Sequence, residues 1–139
     1  MTCTMSPLFA HLHLWAGRPF VWGSCDCCTI VADWVLHLRG VDPMADDRLT
    51  YGSAGECQRA TRFFTDPVGA FARRLEPLGI GRTEGPVTGD VGIALAMIEG
   101  QMRPHGTICL GETWAVKSER GITCYRPEII AAWGMGYRA

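Results

Sequence analysis

The stretch Arg18-Pro19-Phe20-Val21-Trp22-Gly23-Ser24-Cys25-Asp26-Cys27-Cys28-Thr29-Ile30-Val31-Ala32-Asp33-Trp34-Val35-Leu36-His37-Leu38-Arg39-Gly40 decides how the chain is organised. A loop bearing Pro and Gly stops at a cysteine cluster, and the cluster opens a helix. From Asp26 onward, Ile30, Val31, Trp34, Val35 and Leu38 recur at helical spacing. Gly40 supplies the stop, with Pro43 three residues on. Asp26 is an N-cap, because its carboxylate can accept from the unpaired N–H groups of the first turn. Cys27 and Cys28 then fall in that turn. The helix dipole there favours thiolate over thiol, and thiolate is the nucleophilic form. Small cysteines also pack well at a loop–helix junction. Chemistry therefore requires a partner from elsewhere in the chain.

Outward from this stretch the pattern is helices first and strands second. Ser6-Pro7 reads as an N-cap with Pro at N1. Leu8, Phe9, Leu12 and Trp15 then share one face of a helix over 6–16, ended by Gly17. Residues 18–23 are extended, with Phe20 and Trp22 at alternate positions. Residues 54–64 form another helix carrying Cys57, Ala60, Phe63 and Phe64. Asp66-Pro67 opens a shorter one reaching about Glu76, with Arg73 and Arg74 in its last turn. Beyond Gly79 come short apolar runs between Gly-rich turns: Val91–Ile98, His105–Leu110, Trp114–Lys117 and Ile122–Tyr125. These read as consecutive antiparallel strands. Pro127–Trp133 reads as a helical turn. Segregated helices and strands indicate an α+β fold, and 139 residues fit a single domain over 1–139.

Composition excludes several classes. Net charge is −1, so there is no basic face for nucleic acid. No apolar run approaches the roughly 18 residues needed to span a bilayer, and no signal peptide is apparent. Seven cysteines are present, with Cys3, Cys57, Cys109 and Cys124 outside the cluster. An odd number without an export signal argues against a secreted disulfide scaffold. The C-x-C-C spacing lacks the usual zinc pattern. A cysteine-ligated metal or iron–sulfur centre is kept as the third reading, and otherwise no metal or cofactor is expected.

Four histidines are candidates for the partner. His11 and His13 lie on the first helix. His37 stands ten residues along the central helix from Cys27, a rise of about 15 Å that it cannot span. His105 begins a predicted strand that must pack against the central helix. A Cys–His pair within hydrogen-bond reach would be an activated nucleophile.

The residues carry a resemblance. Phe20-Val21-Trp22-Gly23-Ser24-Cys25-Asp26-Cys27 resembles the entry to the catalytic helix of NlpC-type cell-wall peptidases, which are papain-like cysteine peptidases. Gly89-Asp90-Val91 followed by His105-Gly106-Thr107-Ile108-Cys109-Leu110-Gly111 resembles their second signature. Gly40-Val41-Asp42-Pro43 is similar to the small versions found in phage and gene-transfer-agent tail modules. The resemblance spans roughly Pro19 to Tyr125. It implies a papain-like fold, with N-terminal helices packed on a C-terminal antiparallel sheet. It implies Cys27 as nucleophile and His105 as general base. Ser118 or Lys117 falls where a third polar residue is expected, and Ser118 alone of the two can accept a hydrogen bond. Asp26, Cys28, Phe20 and Trp22 are assigned to the oxyanion and substrate pocket.

The implied activity is cleavage of peptidoglycan stem peptides, commonly at a D-glutamyl–diamino acid bond. The implied setting is synthesis in the cytoplasm and assembly into a phage-like tail, with tail hub or baseplate proteins as partners. Trp133 and Tyr137 are candidate docking aromatics, suited also to a second reading as a catalytically impaired structural tail protein. Three departures from the family pattern stand out. Phe20 replaces a Tyr, Cys28-Thr29 replaces Ser-Gly, and Lys117 has no acceptor. Cys25 is placed as a thiol that could block Cys27 by oxidation.

Overall fold

The computed structural model describes residues 5–98 and 100–138, so Cys3 lies outside the described residues. Four helices come first: α1 (Pro7–Ala16), α2 (Cys27–Arg39), α3 (Ala54–Thr61) and α4 (Pro67–Leu75), the last followed by a single 3₁₀ turn over Glu76–Leu78. Five strands follow: β1 (Val91–Ile98), β2 (Gln101–Cys109), β3 (Trp114–Ser118), β4 (Gly121–Tyr125) and β5 (Glu128–Trp133). They form one antiparallel sheet in the order β4-β3-β2-β1-β5. The chain is α+β, with its helices N-terminal to its sheet. Among the described residues, no helix is long and apolar enough to cross a membrane.

Local chemistry explains the helix boundaries. The Ser6 hydroxyl accepts from the Phe9 N–H, and Pro7 occupies N1. Asp26 caps α2 in a capping box with Thr29, and Gly40 ends it in the left-handed region at φ 74°. The α3 helix stops at Thr61, three residues short of the expected end, because Arg62 takes the left-handed conformation at φ 59°. That break releases Phe63 and Phe64 from the helix.

The core lies between α2 and one face of the sheet. Ile30, Trp34 and Val35 of α2 are fully buried with Val91, Ile93 and Ile108 of the sheet. Each such side chain contributes about 1.5–3 kcal/mol by leaving water. The Trp34 indole N–H donates to the Gly89 carbonyl (2.8 Å), which ties the middle of α2 to the entry of β1. The buried Asp90 carboxylate accepts from the Val87 and Met135 N–H groups (2.9 and 2.8 Å), joining that entry to the C-terminal segment. Gly89-Asp90-Val91 is thus a structural junction. On α1, Trp15 and Leu8 are buried, whereas Phe9 points outward.

Three expectations are corrected. Residues 128–133 form β5, not a helical turn. The free edge of β1 offers a ladder, and Ile129↔Ala94 through Trp133↔Val91 fill it. Trp133 is consequently fully buried, 5.5 Å from the Phe71 ring and under the Arg82 guanidinium. Tyr137 packs on Trp34 at 4.9 Å. Neither is a docking aromatic; both are held in the fold.

The third correction concerns β2, which begins at Gln101 and runs through Pro104. The Cys109 N–H and carbonyl bond toward the β1 side, to Asp90 and Gly89. By alternation, the nitrogen of residue 104 faces away from β1. Pro104 therefore removes no hydrogen bond from the β1 ladder. His105 lies mid-strand opposite Ala94, not at the strand's start.

Candidate active site

Asp26 organises the site from below. Its carboxylate is buried and accepts from the Gly23, Cys28 and Thr29 N–H groups (2.8, 2.9 and 2.8 Å) and from the Tyr51 hydroxyl (2.9 Å). It accepts four hydrogen bonds from within the fold and is not among the residues that line the Cys27 cleft. It fixes the turn before α2 and the direction of the helix start. This corrects its placement in the oxyanion and substrate pocket. Gly23 allows the turn to pass close to Tyr51. Its φ is +80°, and a Cβ there would sit 2.5 Å from the Tyr51 carbonyl oxygen.

The capping leaves a specific opening. The Cys28 and Thr29 N–H groups are taken by Asp26 Oδ1, and the Ile30 N–H bonds to the Asp26 carbonyl (3.2 Å). The Cys27 N–H is the first-turn donor outside this set, beside its own thiol.

Cys27 lines a cleft of about 350 Å³. Phe20, Trp22 and Phe64 form an aromatic wall. Phe20 and Trp22 stand edge to face at 5.0 Å, and Trp22 meets Phe64 at 6.4 Å. Arg103 and His105 come from β2, and Lys117, Ser118 and Glu119 from the end of β3 and the turn beyond it.

The Cys28 thiol stands 4.0 Å from Cys27 Sγ and, as hydrogen-bond partner, lowers the Cys27 pKa from 9.0 to about 6. Burial opposes this shift, and the His105 imidazole lowers the value further. In return the Cys28 pKa is raised well above 9.0, first by that bond and then by burial. Alkylation of Cys27 by iodoacetamide is therefore expected to rise through pH 6 and to be nearly level by pH 8. Cys28→Ala is expected to move that midpoint upward. Site-resolved mass spectrometry against pH reads both, and separates Cys27 from the exposed Cys124.

The structure brings together Cys27, His105, Phe20, Trp22 and Ser118 in one cleft. It does not bring Cys28 there. That side chain lines a separate apolar cavity of about 30 Å³ with Tyr51, Cys57 and Phe71. Nor is Cys25 the thiol poised against Cys27. It is buried, bridged to Val21, and raised in pKa by that burial, whereas Cys28 is the sulfur at 4.0 Å.

The third catalytic position is not closed. His105 Nε2 is buried without a hydrogen-bond partner among the described residues, and the Ser118 hydroxyl accepts from the Arg120 N–H (3.3 Å). Lys117 is structural. Its buried ammonium donates to the Trp15 carbonyl (2.8 Å) and to the Arg18 carbonyl. It thereby holds the end of α1 and the start of the loop that carries Phe20 and Trp22. Among the described residues, no group of three His, Cys, Asp or Glu side chains is placed to hold a metal ion.

Gly106 sets how closely β2 approaches the nucleophile. A Cβ there would lie 2.5 Å from the Cys27 carbonyl oxygen. Gly106→Ala is expected to push the strand from the helix start and cost about 1–3 kcal/mol. A thermal melt, with Cys27 alkylation at pH 7 alongside it, measures the effect.

Arg103 and Phe64 are cleft residues that sequence reasoning missed. The signal for Arg103 was present, since it precedes His105 by two positions and shares its strand face. It was hidden by the expectation that the strand begins at His105, after Pro104. Phe64 was hidden by its placement on a helix.

No curated protein and no solved structure matches the chain. Residues 5–135, nearly the whole sequence, match the family described as a domain of unknown function (DUF6950), and the chain belongs to that family.

Proposed function

We propose that this protein is a papain-like cysteine peptidase of NlpC type, acting on peptidoglycan stem peptides as part of a phage-like tail. The observation that carries the reading is the Cys27 thiol. It sits at the start of α2, in a cleft shared with His105, and its pKa is lowered to about 6. A residue held as thiolate at neutral pH, in an aromatic-walled cleft, suits nucleophilic attack on a carbonyl. The wall and tail setting rests on the resemblance of residues 20–27, 40–43, 89–91 and 105–111.

The steps follow from the residues in place. The Cys27 thiolate adds to the scissile amide carbonyl, and the Cys27 N–H donates to the resulting oxyanion. His105, carrying the proton taken from Cys27 Sγ, gives it to the departing amine nitrogen, the C–N bond breaks, and a thioester remains on Cys27. His105 then takes a proton from water, whose oxygen attacks the thioester. The carboxylic acid leaves, and Cys27 returns to thiolate with the proton back on His105, the state from which the cycle began. Cys27 and His105 line the same cleft, and catalytic hydrogen bonds commonly tighten only in the complex with substrate.

Digestion of purified peptidoglycan under reducing conditions, with fragments read by mass spectrometry, tests this. New stem-peptide termini are the expected result and name the bond. A folded protein that yields none sinks the peptidase reading.

One observation favours a second reading. Among the described residues His105 Nε2 has no hydrogen-bond partner, and the Ser118 hydroxyl accepts from the Arg120 N–H. A structural tail protein that kept the fold and lost turnover would show this feature. It predicts no cleavage by the wild type together with binding to a tail hub protein.

A further inference from the structure

A second polar pocket lies outside the catalytic cleft and shares none of its residues. It has a volume of about 330 Å³ and is lined by Arg59, Arg62, Arg73 and Arg74, with Asp66 as the one carboxylate among them. Four of the chain's 13 lysines and arginines thus meet at one place, although the net charge is −1. Arg59 lies on α3, Arg73 and Arg74 lie on α4, and Arg62 caps the end of α3. The helix dipole favours basic residues in a last turn. It does not account for cations of two helices converging on one pocket, where like charges repel.

The four cations are not equivalent. The Arg74 guanidinium is held by Asp47 in a two-bond contact (2.7 and 3.0 Å) and donates to the Ala70 carbonyl (2.9 Å). Arg73 reaches Asp66 at 3.4 Å, an exposed pair that contributes little. The other Asp66 oxygen accepts from the Gly69 N–H at the start of α4 (3.1 Å). Among the described residues, Arg59 and Arg62 pair with no carboxylate. The backbone beneath them is fixed. Arg62 takes the left-handed conformation at φ 59°, a position that α2 fills with Gly40. The Arg62 carbonyl accepts from the Asp66 N–H (2.8 Å). The Gln58 side chain clamps the same turn, accepting from the Phe64 N–H (2.9 Å) and donating to the Thr65 hydroxyl (2.7 Å).

We infer that this pocket is a binding site for a phosphate-bearing anion, held by Arg59, Arg62 and Arg73 beside the fixed Arg74. Guanidinium forks match phosphate oxygens in two-bond contacts. The remaining lining residues, Ala60 and Thr61, offer no aromatic surface, so a nucleobase would gain no stacking. Nucleic acid would also need cations spaced along its backbone, whereas these converge on a volume suited to a small molecule or group. The anion is free phosphate or diphosphate, or a phosphate group carried on a larger molecule. The site does not depend on the peptidase reading.

Calorimetry of the full chain with pyrophosphate and with glycerol 3-phosphate, at low ionic strength, tests the inference. One site per chain is expected, weakening as salt rises. Arg59→Gln combined with Arg62→Asn should weaken binding about tenfold or more. Asparagine is chosen because it tolerates the left-handed conformation. Arg39→Gln combined with Arg120→Gln removes two exposed charges elsewhere and should leave the affinity unchanged. A thermal melt checks each protein, and if the turn does not tolerate Arg62→Asn, the exposed Arg59→Gln alone decides.

Tighter pyrophosphate would name a free anion, and tighter glycerol phosphate an esterified group. Equal binding would mean that the phosphate alone is read. Each of these supports the site. No binding of either probe, binding that survives in the Arg59 and Arg62 variants, an equal loss in the Arg39 and Arg120 variant, or tighter binding of a single-stranded oligonucleotide overturns it.

Discussion

Replacing Cys27 by alanine is expected to remove peptidoglycan cleavage, with a loss of about 10⁴-fold or more, and to leave the fold in place. The size of the effect follows from the role. Without the sulfur no acyl-enzyme can form, and what survives is the binding and oxyanion contribution alone. The fold should hold because Cys27 supplies one buried sulfur, comparable to about 1 kcal/mol of apolar burial. The α2 cap is untouched by the change, since Asp26 bonds to the backbone of Cys28 and Thr29 and to Gly23 and Tyr51. Fragment yield and circular dichroism of the two proteins, side by side, decide the matter. Equal fragment yield from the variant would mean that Cys27 is not the nucleophile.

Asp26→Ala is expected to have the largest effect on stability, about 3 kcal/mol or more. The substitution strands four donors at once: three backbone N–H groups and the Tyr51 hydroxyl. Each buried donor left unsatisfied costs about 1–3 kcal/mol, and lost N-caps alone cost about 1 kcal/mol. Relaxation and entering water recover part of that sum. The remainder is a large share of the 5–15 kcal/mol that typically holds a domain, and should lower the melting temperature by roughly 10 °C.

Asp26→Asn keeps a side-chain oxygen for the Cys28 and Thr29 N–H groups and should lose less. The alanine variant should also lose the early titration of Cys27, because a frayed helix start no longer holds that thiol beside Cys28 and His105. A melt matching wild type would show that the turn and helix start are held by other contacts.

Much of this site was legible in the order of residues. Asp26 followed by Cys27, Cys28 and Thr29 states a capping box, because side-chain oxygens and the unpaired N–H groups of one helical turn are neighbours in sequence. The same turn places a thiol in the field of the helix dipole. Position along the helix alone removed His37, and the strand after Gly89-Asp90 was readable in its apolar run. The strand over 101–104 was not readable. Proline normally interrupts a ladder, and its tolerance here depends on which strand faces its nitrogen. The C-terminal strand was misread because Ile-Ile-Ala-Ala-Trp suits a helix or a strand locally, and the open edge of β1 decides between them.

The helix starts, the stop of α2 at Gly40 and the α+β order thus follow from the sequence, because caps, turn residues and hydrophobic periodicity act over a few residues. Tertiary contacts decided the rest: that Asp26 is saturated from within and Cys28 faces an inner cavity, that Lys117 is spent on two carbonyls, and that Arg103 joins Cys27 in one cleft. Those outcomes depend on which groups meet across the fold. The buried ammonium of Lys117 and the carbonyls of Trp15 and Arg18 are about a hundred residues apart in the chain, and no local pattern records that they must satisfy one another.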